Sequence, residues 1–163
     1  MVFSIADAVF ETGSQQAAGS FVSVLKVVAS DVPSVCANAK AGNDFGDAHV
    51  LVLEVDRTES SASIPVAVGT YTFGSLAANY AMYVEWGHSP PDCGAFDKSY
   101  LGTAGSITFT EADSERTTGT FAVTLDNGLQ ISGTFDTAAC FVPDAPSTTA
   151  CLPGPGSGDA ATD

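Results

Sequence analysis

Apolar residues in this chain fall mainly on alternate positions, in short runs broken by polar or glycine-containing turns. A period of two places one set of side chains on each face of a β-strand. The runs predict strands over Phe3–Phe10, Ser20–Ser30, His49–Arg57, Ile64–Phe73, Asn79–Trp86, Gly105–Glu111, Thr118–Leu125 and Leu129–Phe135. In the third, Val50 to Leu53 is apolar on both faces, which predicts burial on both sides. In the fourth, the inward parity changes between Val66/Val68 and Tyr71/Phe73 with Gly69 at the change, which predicts a β-bulge there. Asp31 to Ser34 breaks the second strand. The alanine-rich stretch from Ser34 to Lys40 predicts a short helix with Ser34 as its cap. Gly42–Asp47 and His88–Asp97 read as loops, the second because Pro90 and Pro91 cannot continue a ladder.

A repeat sharpens the C-terminal half. Glycine, a small hydroxyl residue and then an aromatic or isoleucine recur at Gly69-Thr70-Tyr71, Gly105-Ser106-Ile107, Gly119-Thr120-Phe121 and Gly133-Thr134-Phe135. The spacing of the last three is about one strand plus one turn, as in an antiparallel meander. Paired residues must share a face. A two-residue Asn127-Gly128 turn would set Leu125 against Gln130, a mismatch. A three-residue loop, Asp126-Asn127-Gly128, sets Leu125 against Leu129 and Val123 against Ile131, with Gly128 in the left-handed region. The same register puts Phe121 opposite Gly133 and Gly119 opposite Phe135. A five-residue loop from Ala112 to Arg116 puts Phe109 opposite Gly119 and Ile107 opposite Phe121. Each repeat glycine then lies beneath a large neighbour, which lets a sheet curl without exposing backbone. The expected fold is all-β: an antiparallel meander of about eight strands, forming a sandwich or closed barrel, with one short helix near residues 34–40.

The chain has four cysteines, Cys36, Cys93, Cys140 and Cys151. If eight strands alternate direction, the second and eighth finish at one end and the fifth at the other. Cys36–Cys140 is then preferred, leaving Cys93–Cys151; the rival is Cys140–Cys151 with Cys36–Cys93, and three pairings remain open. An even, dispersed count suggests two disulfides and an oxidising compartment. The domain reading is a β-domain over 1–142 and a Pro/Ser/Thr/Gly-rich flexible tail or linker over 143–163, pinned by Cys151 if that residue is bonded.

Composition excludes some functions. Five Lys+Arg stand against nineteen Asp+Glu, a formal net charge of −14. Such a surface repels nucleic-acid phosphates and anionic lipid, so no nucleic-acid partner is expected. No apolar run is long enough for a transmembrane helix. Met1 to Thr12 lacks the basic and apolar regions of a leader, so export implies that a leader has been removed.

Candidate chemistry is sparse. The cysteines and the two histidines, His49 and His88, lack zinc-site spacing. Asp44 and Asp47, in the acidic Gly42–Asp47 loop, are the candidate calcium ligands, without EF-hand spacing. Asp92 and Asp97 flank Cys93 in a similar loop. A Ser–His–Asp group can be drawn from His88, Asp92 and one of many serines, but no G-x-S-x-G elbow supports it. Glu54, Glu85 and Glu111 fit solvent faces better than a pair of catalytic carboxylates. Tyr83, Trp86, His88 and Tyr100 form the candidate ligand-binding group. Trp86 shares the core parity of Tyr80, whereas Tyr83 faces the other way. No catalytic residue and no resident cofactor are assigned.

The stretch from Val28 through Asp31-Val-Pro-Ser-Val-Cys36, then Gly69-Thr70-Tyr71, Gly119-Thr120-Phe121, Gly133-Thr134-Phe135-Asp136 and Cys140, resembles exported lipoprotein domains of unknown function of deltaproteobacterial type. That resemblance implies export, a cysteine pair near Cys36 and Cys140, and a β-sandwich or barrel; it brings no catalytic residues. The chain lacks the leader and lipobox cysteine of that pattern. The expected function is a non-enzymatic, exported β-domain. It would act extracellularly, at the cell surface or in the periplasm, as a structural or binding component, including a self-assembling subunit. Two alternatives stand beside it: a small-ligand or carbohydrate binder or hydrolase in the barrel mouth, and a calcium-dependent adhesion module. Protein or carbohydrate partners follow from these readings.

Overall fold

The computed structural model describes residues 2–17, 19–40, 43–75, 77, 79–90, 96–140 and 150–152. Among them lie β1 (Asp7–Ala17), β2 (Ser20–Ser30), α1 (Val35–Lys40), β3 (Asn43–Phe45), β4 (Ala48–Glu59), β5 (Gly69–Thr72), β6 (Tyr80–Ser89), β7 (Lys98–Ala112), β8 (Arg116–Leu125), β9 (Gln130–Ala138) and β10 (Ala150–Leu152). Eight strands make one curled antiparallel sheet in the order β1-β2-β4-β6-β7-β8-β9, with β5 paired to β7 off this path. The two ends of the path approach each other through parallel bridges, Val2 to Ser132 and Phe10 to Ala139. The result is an all-β half-barrel.

Alternation in the sequence becomes a filled interior. Phe10, Leu25, Val27, Leu51, Leu53, Val55, Val84, Ile107, Phe109, Phe121, Val123, Leu125, Ile131 and Phe135 are all buried and form one cluster. Each fully buried aliphatic or aromatic side chain contributes about 1.5–3 kcal/mol. This cluster is the main source of stability. Val50 is also buried, as its doubly apolar strand predicts.

The predicted C-terminal register holds pair for pair. Val123 faces Ile131, Phe121 faces Gly133 and Gly119 faces Phe135. Phe109 faces Gly119 and Ile107 faces Phe121. The amide of Gly128, at φ 82°, donates to the Leu125 carbonyl at 2.9 Å, and the Leu125 amide donates to Leu129 at 2.8 Å. The preceding turn differs. Ala112 faces Thr117, so four residues, Asp113–Arg116, connect them instead of five, the Asp113 amide donates to the Arg116 carbonyl at 3.1 Å, and a register shift between Phe109 and Glu111 absorbs the difference. Asp113 explains the shorter turn, because its carboxylate accepts the amides of Glu115 and Arg116.

Other expectations are corrected. The first strand runs Asp7–Ala17, not Phe3–Phe10; β2 holds this polar segment by eleven consecutive residue pairs. Backbone pairing here overrides the missing apolar alternation. Only Gly69–Thr72 of the fourth predicted strand joins a ladder, so the parity change marks where extended coil becomes strand. The register shifts lie in β7 instead, between Gly102 and Ala104 and between Phe109 and Glu111. The plain meander is broken at the same place. β4 pairs directly with β6, and β5 takes a stretch of β7 that β6 leaves free. His88 and Ser89 belong to β6, and the ladder resumes at Lys98, so the predicted loop is shorter and β7 longer. Asn43–Phe45 is not a loop but a short parallel partner of Ala150–Leu152, which holds the C-terminal segment at that point.

Ser34 does precede α1, and its carbonyl accepts the Asn38 amide at 3.0 Å. The Val35 amide, however, is served by the Asp7 carboxylate at 2.8 Å. Cys36 and Cys140 form a disulfide with their Cα atoms 5.6 Å apart. The parity argument for that pair does not hold, since β9 runs parallel to β1. The stagger of the curled sheet brings Cys140 to Phe10, whose carbonyl accepts its amide at 2.9 Å. Cys93 and the side chain of Cys151 lie outside the described residues.

Candidate functional site

Two polar regions interrupt the inner face, one at each end of the half-barrel. The first grows out of the core by simple alternation. On β4 the inward row Val55, Leu53, Leu51 ends at His49. On β6 the row Tyr80, Met82, Val84 ends at Trp86 and His88. Cross-strand register sets Leu51 opposite Trp86 and His49 opposite His88. On the next strand Tyr100 lies opposite Trp86.

The rings form a row. His49 stacks on one side of Trp86 at 5.2 Å and 16°, and Tyr100 on the other at 6.0 Å and 23°. Both faces of the indole are therefore covered. Trp86 is a packing element here rather than an open platform for a sugar ring. Its Nε1 is buried with no hydrogen-bond partner among the described residues. The His49 and His88 rings are 4.9 Å apart and tilted by 58°.

Three aspartates surround the histidines. His49 Nδ1 lies 2.8 Å from Asp31 Oδ2, and the His49 amide donates to Asp31 Oδ1 at 2.8 Å. Asp31 is placed by the ladder, because its own amide donates to the His49 carbonyl. His88 Nδ1 lies 3.2 Å from both oxygens of Asp97, and its Nε2 lies 3.3 Å from Asp47 Oδ1. Asp97 is anchored to β6 by its backbone amide, which donates to the His88 carbonyl at 3.2 Å. Asp47 enters β4 with φ 51°, a left-handed conformation that Asp tolerates better than most residues. Two ring nitrogens thus face two carboxylates, and a neutral imidazole donates through one nitrogen only.

Of the predicted site residues, Trp86, His88, Tyr100 and Asp47 come together. Tyr83 does not. It lies on the outer face, 42% exposed, and its hydroxyl donates to Glu85 at 2.6 Å. That bond, with burial behind it, pushes the phenol up to about 12. The side chain of Asp44 and all of Asp92 lie outside the described residues. The sequence reading missed His49 and Asp31. Their signal was the His49–His88 register, which becomes visible only once β4 is known to pair with β6. The outer-face carboxylates Glu54 and Asp56 are both raised, chiefly by burial.

The second polar region is a cleft of about 420 Å³ at the opposite end. Ser23 in its lining pairs with Arg57, which lies ~26 Å along β4 from His49 at strand rise. Leu25, Pro65 and Val66 supply apolar walls, and Thr12, Ser14, Ser23, Ser63 and Ser114 supply hydroxyls. The hydroxyls of Ser23 and Ser63 are 2.9 Å apart, which ties the coil before β5 across the mouth. Asp113 also lines the cleft, but its carboxylate accepts two backbone amides that hold it below its usual range. Comparison with protein-family models, characterised proteins and solved structures finds no match for this chain.

Proposed function

We propose that this chain is a non-enzymatic, exported β-domain that works by binding, and that its recognition site is the hydroxyl-lined cleft at the mouth of the half-barrel. The cleft is the observation that carries the reading. Its volume falls in the range of small-ligand sites, roughly 300–1,000 Å³. The lining pairs apolar walls with several hydroxyls and carries no Lys or Arg. That chemistry suits a small neutral polyhydroxylated molecule, whose C–H faces meet Leu25, Pro65 and Val66 while its hydroxyls replace water on the serines. Export is supported by the Cys36–Cys140 disulfide, a bond that persists in oxidising compartments.

Saturation-transfer NMR against neutral mono- and disaccharides tests the reading. Binding is expected to be lost on Thr12→Trp, which places a large ring over the cleft from an exposed position. If no saccharide transfers, or transfer survives that substitution, the cleft is not the recognition site.

A further inference from the structure

The histidine end of the half-barrel carries a different chemistry. We propose that His49 and His88 bind a divalent transition-metal ion of the zinc type through their Nε2 atoms, with Asp47 as the third ligand. Three observations carry this. First, the two histidines are direct cross-strand partners with rings 4.9 Å apart. Second, each Nδ1 already faces a carboxylate, Asp31 for His49 and Asp97 for His88. A metal-ligating imidazole commonly donates its other ring N–H to such a carboxylate, which fixes the tautomer and leaves Nε2 to the metal. Third, Asp47 Oδ1 stands 3.3 Å from His88 Nε2. Ligand atoms around a tetrahedral ion with bonds of about 2.0–2.1 Å are separated by about that distance.

As they stand, no three of the described His, Cys, Asp and Glu side chains converge on one point. Completing the site requires the His49 ring to move, and its side chain is 42% exposed. Two imidazole nitrogens favour zinc, copper or nickel over calcium, which takes oxygen ligands. The negative surface concentrates cations locally. Asp47 would offset part of the ion's charge directly, and Asp31 and Asp97 through the imidazoles they face.

Because Trp86 is the sole tryptophan and stacks on His49, its emission reports on the site directly. The full chain is titrated with Zn(II) by calorimetry, and with Cu(II) by Trp86 quenching, at about pH 7.5, where imidazole is available as a ligand. One saturable site is expected, with Zn(II) relieving the Cu(II) quench and Ca(II) leaving it unchanged. His49→Ala and His88→Ala should each weaken Zn(II) by more than about 100-fold, and Asp31→Asn, acting only through His49, by roughly 10-fold. Circular dichroism checks folding; if an alanine variant fails to fold, His49→Gln carries the same test. The proposal is overturned if the native chain shows no Zn(II) binding, if the His49 variants bind as tightly as the native chain, or if Ca(II) displaces Cu(II).

Discussion

The ring of Phe121 lies across Gly133, so close that a Cβ on the glycine would stand 2.9 Å from two ring carbons. The two residues are cross-strand partners between β8 and β9. Two pairs along, Phe135 covers Gly119 in the same way, its Cζ 2.5 Å from the Cβ position. Gly119 and Gly133 are therefore spaces reserved for a neighbour's ring, whereas the expectation fails at the other two repeat glycines: at Gly69 nothing lies within 4 Å of the Cβ position, and at Gly105 it meets the backbone of Ala122 and Val123.

Filling that space should destabilise the fold. Gly133→Val forces Phe121 out of its place, and overpacking of this kind costs about 1–3 kcal/mol. Urea unfolding should show a lower midpoint with an unchanged slope. An unchanged midpoint would mean that the ring has somewhere else to go.

The disulfide closes a loop with a sequence separation of 104 and ties α1 to the seam where β1 and β9 meet. Cys36→Ser with Cys140→Ser should cost about 2–5 kcal/mol, chiefly by freeing the unfolded chain. The check is a thermal melt of this variant beside the native chain, with and without reductant. Reductant should lower the native melting temperature toward that of the variant. Equal melting temperatures in all samples would show that the bond adds no stability.

Acid and charge give a third test. Asp56 is raised by burial, and its Oδ1 has no partner among the described residues. A carboxyl whose folded pKa is raised binds its proton more tightly in the native state. It therefore costs stability once pH climbs past its unfolded value, near 3.8. Asp56→Asn should raise stability at neutral pH, read as a higher melting temperature, and lose that advantage as pH falls below 3.8. A variant that is less stable at pH 7 would contradict the assignment.

The tyrosines make the alkaline counterpart. Burial first, then Tyr80, pushes Tyr71 up to about 12, and the Glu85 bond pushes Tyr83 to about 12. Their unfolded phenols ionise near 10, so the native state keeps protons that the unfolded chain releases. Stability should fall as pH rises from about 10 toward 12. Absorbance at phenolate wavelengths should show two late-titrating tyrosines, one lost in Tyr71→Phe and the other in Tyr83→Phe. Tyr71→Phe should also cost about 1 kcal/mol, since its hydroxyl donates to Ala67 at 2.7 Å.

The chain by itself determined its strands wherever hydrophobic alternation and turn chemistry agreed. Ser20–Ser30 is found with the predicted bounds, and Asp126-Asn127-Gly128 set the register of β8 and β9, because alternation permits one face assignment and a one-residue slip would bury polar side chains. Of the repeat glycines, Gly119 and Gly133 lie under the expected rings, because the same register decides which residue faces them. Tertiary structure decided what those local rules do not reach. The pairing of β4 with β6, over the head of the segment that becomes β5, depends on which strand fills the space beside β7, a competition among distant elements. The stagger that brings Cys140 to Cys36 accumulates strand by strand around the curl. His49 and His88 look unrelated in sequence because metal-site spacing is a local signal. They become neighbours only through that long-range pairing, which gathers them with Asp31, Asp47 and Asp97 at one end of the half-barrel.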